Sequence, residues 1–191
     1  MILEYAIAFL IGSIPTAYWY AKYFHKMDIR QHGSGNIGAT NSLRVLGKKA
    51  GALVLIIDLL KGLIPVLIAK KLGFDPEIVL TIGIFAILGH LFSPFVGFKG
   101  GKGIATAFGV IIGFSPLSAL LCVAVFGLVF YFTRYVSLGS ILGVFTFLVY
   151  TLLKFQDNLT VQLLAGGLTI LLIFSHRENI KRLLSGTESK V

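Results

Sequence analysis

Residues 104–132 read IATAFGVIIGFSPLSALLCVAVFGLVFYF, 29 positions without a charge. One crossing of a hydrocarbon layer takes about 20 apolar residues, so this run is long for one helix and short for two. Ser115-Pro116 stands inside it, and proline suits the first turn of a new helix. The stretch therefore predicts two short helices meeting at Pro116. That choice sets the side of the membrane for everything downstream.

Working outward, apolar runs cover residues 2–20, 50–69, 78–98, 138–153 and 159–174. Pro15 is expected to kink the first, which membrane helices tolerate. Gly73-Phe74-Asp75-Pro76 is a turn, and residues 25–49, 99–103, 134–140 and 175–191 are polar. Over the whole chain 56% of residues are hydrophobic and only 13% charged, with a mean hydropathy of +0.89. Soluble domains carry about 25% charge. These values predict an integral membrane protein, a single bundle over residues 1–191. The one cysteine, Cys122, excludes an intrachain disulfide and a thiolate metal cluster. A net charge of +9 without stacking aromatics among the basic runs points to lipid headgroups as partners, with no nucleic acid.

Lysine and arginine in short loops concentrate on the cytoplasmic side. With two helices in residues 104–132 and the N-terminus outside, thirteen of the 17 basic residues lie inside and three, Lys70, Lys71 and Lys154, outside; Lys61 is within a span. With a single crossing the split falls to nine against seven. The expected fold is thus all-α, with seven transmembrane helices, the N-terminus outside and the C-terminus cytoplasmic. All the long polar segments then share the cytoplasmic face.

Three constellations occupy that face. Ser34-Gly35-Asn36-Ile37-Gly38-Ala39-Thr40-Asn41-Ser42-Leu43-Arg44 gathers hydroxyls, amides and a guanidinium, the groups that bond phosphate oxygens. Its G-x-G-x-x-G spacing is not a dinucleotide site, because no strand precedes it. Phe98-Lys99-Gly100-Gly101-Lys102-Gly103-Ile104-Ala105-Thr106 reads as an anion-holding loop whose glycines give close approach and free N–H groups. The helix start after Gly103 adds its dipole. Gly103 follows Lys102 where a nucleotide P-loop needs Ser or Thr. The third is His176-Arg177-Glu178-Asn179-Ile180-Lys181-Arg182, then Gly186-Thr187-Glu188. Here His176 is a candidate acid, base or oxyanion donor. Ser137 and Ser140 open the sixth helix, as caps or as site residues. Asp58 and Lys61, three apart in the second helix, are expected to pair. Intramembrane charge is also what a transporter shows. There is no G-x-S-x-G elbow, no H-x4-D motif and no histidine–carboxylate cluster for a metal.

In these three motifs, in their order and spacing, the chain resembles the bacterial acyl-phosphate-dependent glycerol-3-phosphate acyltransferases. The resemblance implies transfer of a fatty acyl group from acyl phosphate to the 1-hydroxyl of glycerol-3-phosphate. It implies an enzyme of the bacterial inner membrane, facing the cytoplasm, that uses no cofactor or metal and forms no acyl-enzyme. The catalytic residues it implies are His176, Asn179 and Ser34. The substrate-binding set is Gly35, Asn36, Thr40, Asn41, Arg44, Gly100, Gly101, Lys102, Gly103, Thr106, Ser140, Arg177, Arg182 and Glu188. The alternative from a different class is an anion (phosphate) transporter or channel, resting on Asp58 and Lys61.

Overall fold

The computed structural model describes residues 1–191. All its regular structure is helical, as expected for backbone that must satisfy its own polar groups in lipid. The chain divides into two compact units, Met1–Gly113 and Phe114–Val191.

In the first unit α1 (Ile2–Ser13) and α2 (Thr16–His25) form one interrupted apolar segment. Pro15 separates them, and the Thr16 amide reaches back to Ile14 O at 3.0 Å. Then come a 3-10 turn at Ile29–Gln31, α3 (Ala39–Leu46), α4 (Lys48–Lys71) and α5 (Pro76–Leu91). A second 3-10 turn, Pro94–Val96, follows, and α6 (Ile104–Phe114) comes last. The apolar run predicted to continue to residue 98 therefore leaves α-helix at Leu91. Pro94 sits at the start of the following turn, and the residue before a proline disfavours helix.

Small residues let these helices approach. A Cβ on Gly12 would meet the Ala86 backbone, and one on Gly89 would meet that of Phe9, so each of α1 and α5 is notched for the other. Gly62 and Gly109 do the same for α4 and α6, against Thr106 and Leu59. Close backbone approach at small residues is how helices associate where lipid removes the hydrophobic drive. Large side chains such as Leu55, Ile56, Leu67 and Ile68 stay exposed on α4, facing the lipid rather than an aqueous surface.

Asp58 and Lys61 are fully buried and pair at 2.6 Å, as their spacing predicts. Thr16 donates to Asp58 at 2.8 Å and Lys61 donates to Ile14 O at 2.7 Å. These added bonds offset the several kcal/mol that burying each ion costs. The acceptor Ile14 O lies at the α1–α2 interruption, where a helix carbonyl has lost its intrahelical donor.

The second unit holds α7 (Pro116–Thr133), α8 (Val136–Lys154), α9 (Leu159–Ser175) and α10 (Arg177–Leu184). Pro116 begins α7, and the Ser115 side chain caps it by accepting from the Ser118 amide. Tyr135, not a serine, is the N-cap of α8, so Ser137 and Ser140 lie inside the helix and cap nothing.

Five segments are long and apolar enough to cross a membrane, and the bent α9–α10 pair makes a possible sixth. The 11-residue α6 rises only about 17 Å, roughly half the hydrocarbon thickness. The structure thus bears seven apolar segments of unequal reach.

Candidate active site

The first motif is a loop built around one amide. Asn41, in the first turn of α3, is 2% exposed. Its Oδ1 accepts from the Ser34 amide at 2.9 Å, and its Nδ2 donates to His32 O and Asn36 O, each at 3.0 Å. A side-chain amide has two donors and one oxygen. Asn41, expected to bind substrate, commits those groups to holding residues 32–36. The loop then leaves other groups outward. Ser34 is exposed and its hydroxyl takes no hydrogen bond within the protein. Thr40 and Arg44 stand one turn apart on α3, on one face. The Asn36 Oδ1 is buried without a partner. Gly35 has φ +71°, a conformation that favours glycine.

In the second motif the glycines act differently from the sequence expectation of free amides. The Gly100 amide donates to Leu91 O at 2.9 Å and the Gly101 amide to His90 O at 3.2 Å. They fill carbonyls that α5 leaves open at its C-terminal end. Neither amide is then available to an anion. Lys102 and the start of α6 follow, where Gly103 turns the chain at φ +80° and accepts from the Ala107 amide. Thr106, in that first turn, is wholly buried, and its hydroxyl has no partner.

The third motif has a carboxylate at its centre. Glu188 Oε1 accepts from Ser137 Oγ at 2.7 Å and from Asn179 Nδ2 at 2.6 Å, while Oε2 pairs with Arg182 Nε at 2.7 Å. Burial pushes this carboxyl upward, but the bonds from Ser137, Asn179 and Arg182 together outweigh it and hold it below its ordinary value. Predicted as a substrate contact, Glu188 has internal partners on both oxygens. Ser137, read in the sequence as a cap or a site residue, joins this cluster. The available signal was its placement at the start of α8, opposite a chain end rich in charge. Ser140 is buried one turn on, its hydroxyl on Val136 O.

His176 joins α9 to α10 and is 3% exposed. Its Nδ1 lies 2.9 Å from Leu172 O and 3.1 Å from Ser175 Oγ. A carbonyl only accepts, so Nδ1 carries the hydrogen. In the neutral ring Nε2 then bears the lone pair. Arg177 is set apart from the Glu188 group: its guanidinium lies over the Phe174 ring at 4.8 Å and leans on Phe174 O and Glu178. An open hollow at the lysine-rich end of α2, lined by Tyr18, Lys22, Tyr23, Lys26, Met27 and Asp28, contains none of the expected site residues. The structure contains no cluster of three or more metal-ligating side chains.

The helices and their apolar spans together define a helical integral membrane protein. A family model described as glycerol-3-phosphate acyltransferase matches residues 2–186. A glycerol-3-phosphate acyltransferase of Fusobacterium nucleatum is 46% identical over 96% of this chain and 94% of its own length. One from Thermoanaerobacter pseudethanolicus is 48% identical over 100% and 95%. The crystal structure of PlsY (YgiH), an integral membrane glycerol 3-phosphate acyltransferase, in its glycerol 3-phosphate form superposes with a TM-score of 0.93 at 43% identity, covering 100% of this chain and 94% of that one. Its lysophosphatidic acid form gives 0.89 over 99% and 94%. The chain belongs to the glycerol-3-phosphate acyltransferase family.

Proposed function

We propose that this protein transfers a fatty acyl group from acyl phosphate to the 1-hydroxyl of glycerol-3-phosphate, yielding lysophosphatidic acid and phosphate. The observation that carries the reading is the full-length likeness to an acyltransferase structure in its glycerol 3-phosphate form. In the proposed step the hydroxyl oxygen attacks the acyl carbonyl carbon. The carbon–oxygen bond to phosphate breaks, and phosphate leaves with the electron pair. The hydroxyl proton goes to His176 Nε2 or to a substrate phosphate oxygen.

Lys102, Thr106 and the α6 N-terminus hold the glycerol-3-phosphate phosphate, and Arg177 and Arg182 are the third motif's substrate contacts. Ser34, Thr40 and Arg44 hold the acyl-phosphate head. Asn179, oriented by Glu188, donates to the carbonyl oxygen as it becomes an oxyanion. Direct transfer is favoured by the serine next to His176: the Ser175 hydroxyl donates to Leu172 O at 2.7 Å, so the histidine does not prime it as a nucleophile.

The proposed setting is the bacterial inner membrane, crossed seven times, with the N-terminus outside and the motifs on the cytoplasmic side. The short α6 fits if the loop before it enters the membrane from the inner face. The deciding assay offers purified protein acyl phosphate, acyl-CoA and acyl carrier protein donors with glycerol-3-phosphate. Lysophosphatidic acid should form from acyl phosphate. Product from another donor alone overturns the donor assignment. Phosphate uptake into vesicles with no product would favour a transporter.

A further inference from the structure

The buried Asp58–Lys61 pair does not end with its own helix. Lys61 Nζ is also 3.3 Å from His90 Nδ1, in the last turn of α5. An ammonium has no acceptor, so in this contact Nδ1 accepts and the neutral ring carries its hydrogen on Nε2. That edge faces the second motif: a Cβ built on Gly101 would collide with Nε2. Nε2 has no hydrogen-bond partner within the protein, and His90 is 7% exposed. The same residue's carbonyl receives the Gly101 amide. His90 thus meets one glycine with both its backbone and its ring.

We infer that Thr16, Asp58, Lys61 and His90 form a buried chain that positions the phosphate-holding loop, with His90 as the positioning residue beneath Gly101. Thr16 and Ile14 O fix Asp58 and Lys61. Lys61 fixes the imidazole's tautomer and orientation. The ring then sets where the backbone of Gly101 runs and, with it, where Lys102 begins. The requirement at position 101 is for space above an imidazole. This inference rests on the proposed role of the loop as the glycerol-3-phosphate site, and it assigns a task to buried charges that the transfer step does not use.

Two measurements on the full chain in detergent separate the inference from the functional reading. The first is a thermal-unfolding cycle, which needs no activity. Gly101→Ala should lower Tm, and His90→Ala should remove that penalty, so that the double variant melts no lower than His90→Ala alone. Strictly additive losses would overturn the contact. The second is kinetic. His90→Ala should raise KM for glycerol-3-phosphate about three- to tenfold, the loss of one positioning contact. The KM for the acyl donor should stay within about twofold. His90→Gln, which keeps an N–H near the loop, should recover part of the loss, and it serves also if His90→Ala does not fold. Equal rises in both KM values, or none, would overturn the positioning role. Absence of any wild-type turnover would overturn the functional reading, while the melting cycle would still decide the contact.

Discussion

Asn41 and Ser34 lie in one motif, seven residues apart, and the structure gives them opposite positions. Asn41 is buried with its amide bonded to three backbone groups, whereas Ser34 is exposed with an unbonded hydroxyl. Asn41→Ala should destabilise by about 2 kcal/mol, the cost of stranding buried polar groups, or roughly 4–8 °C in Tm for a chain of this size. Ser34→Ala should leave Tm unchanged and lower turnover. Thermal melts beside initial rates check both, and a Ser34→Ala melt shifted as far as Asn41→Ala would refute the division. Glu188 makes a pH prediction. Its carboxyl is held below the ordinary value in the folded protein. Its contribution is therefore complete above the ordinary glutamate range of about 4.3 and is lost as pH falls through the lower folded value. Glu188→Gln should lower kcat about ten- to a hundredfold near neutrality, as expected for bonds to a charged group, and should flatten the acid limb of the rate profile. An unchanged acid limb would mean that another group sets it. The residue types of all three motifs were legible in the sequence, because small polar and glycine-dense segments stand out between apolar runs. Which of them face a ligand was not. Asn41 and Thr40 look alike as sequence, and only the path of residues 29–36 makes the first a staple. Likewise nothing in the order of residues shows that the Gly100 and Gly101 amides close on α5.

At the scale of elements, apolar length was a sound guide and local breaks were less so. Apart from α5, which ends at Leu91 where the apolar run continues to residue 98, the long helices fall near the runs read from hydropathy, and Pro116 starts α7 as expected. Two short elements, the 3-10 turn Ile29–Gln31 and α3, were hidden in the polar stretch. At eight residues α3 is too brief for its periodicity to stand out. The seams between helices were also illegible, since 22 glycines look equivalent in the sequence. The structure distinguishes them. A side chain on Gly89 would strike the Phe9 backbone, whereas one on Gly167 of α9 meets open space. Gly89→Val should cost about 1–3 kcal/mol by forcing α1 from α5. Gly167→Ala should stabilise by up to about 1 kcal/mol, the ordinary advantage of alanine in a helix. Melting temperatures in one detergent test the pair, and equal shifts in both variants would sink the notched-seam account.

For the whole molecule the open matter is whether α6 crosses, because its 11 residues are short and everything after it depends on the answer. Charge argues that it does: a crossing puts thirteen basic residues inside against three outside, and its absence leaves nine against seven. Each misplaced cation near a span end weakens the cytoplasmic bias that sets orientation. Exposed single-cysteine positions make the choice measurable once Cys122 is replaced by alanine. Asp75→Cys before α5 and Asp157→Cys before α9 should react with a membrane-impermeant thiol reagent in intact cells. Gln31→Cys and Ser185→Cys should react only after permeabilisation. Asp157 decides the matter, since it is external with seven crossings and internal with six, while Asp75 stays external in both. Labelling at Asp75→Cys with protection at Asp157→Cys would show that α6 turns back. It would also place the third motif outside, away from a cytoplasmic phosphorylated substrate. Labelling at both would leave the three motifs on one side, as the proposed transfer between two phosphate-bearing substrates requires.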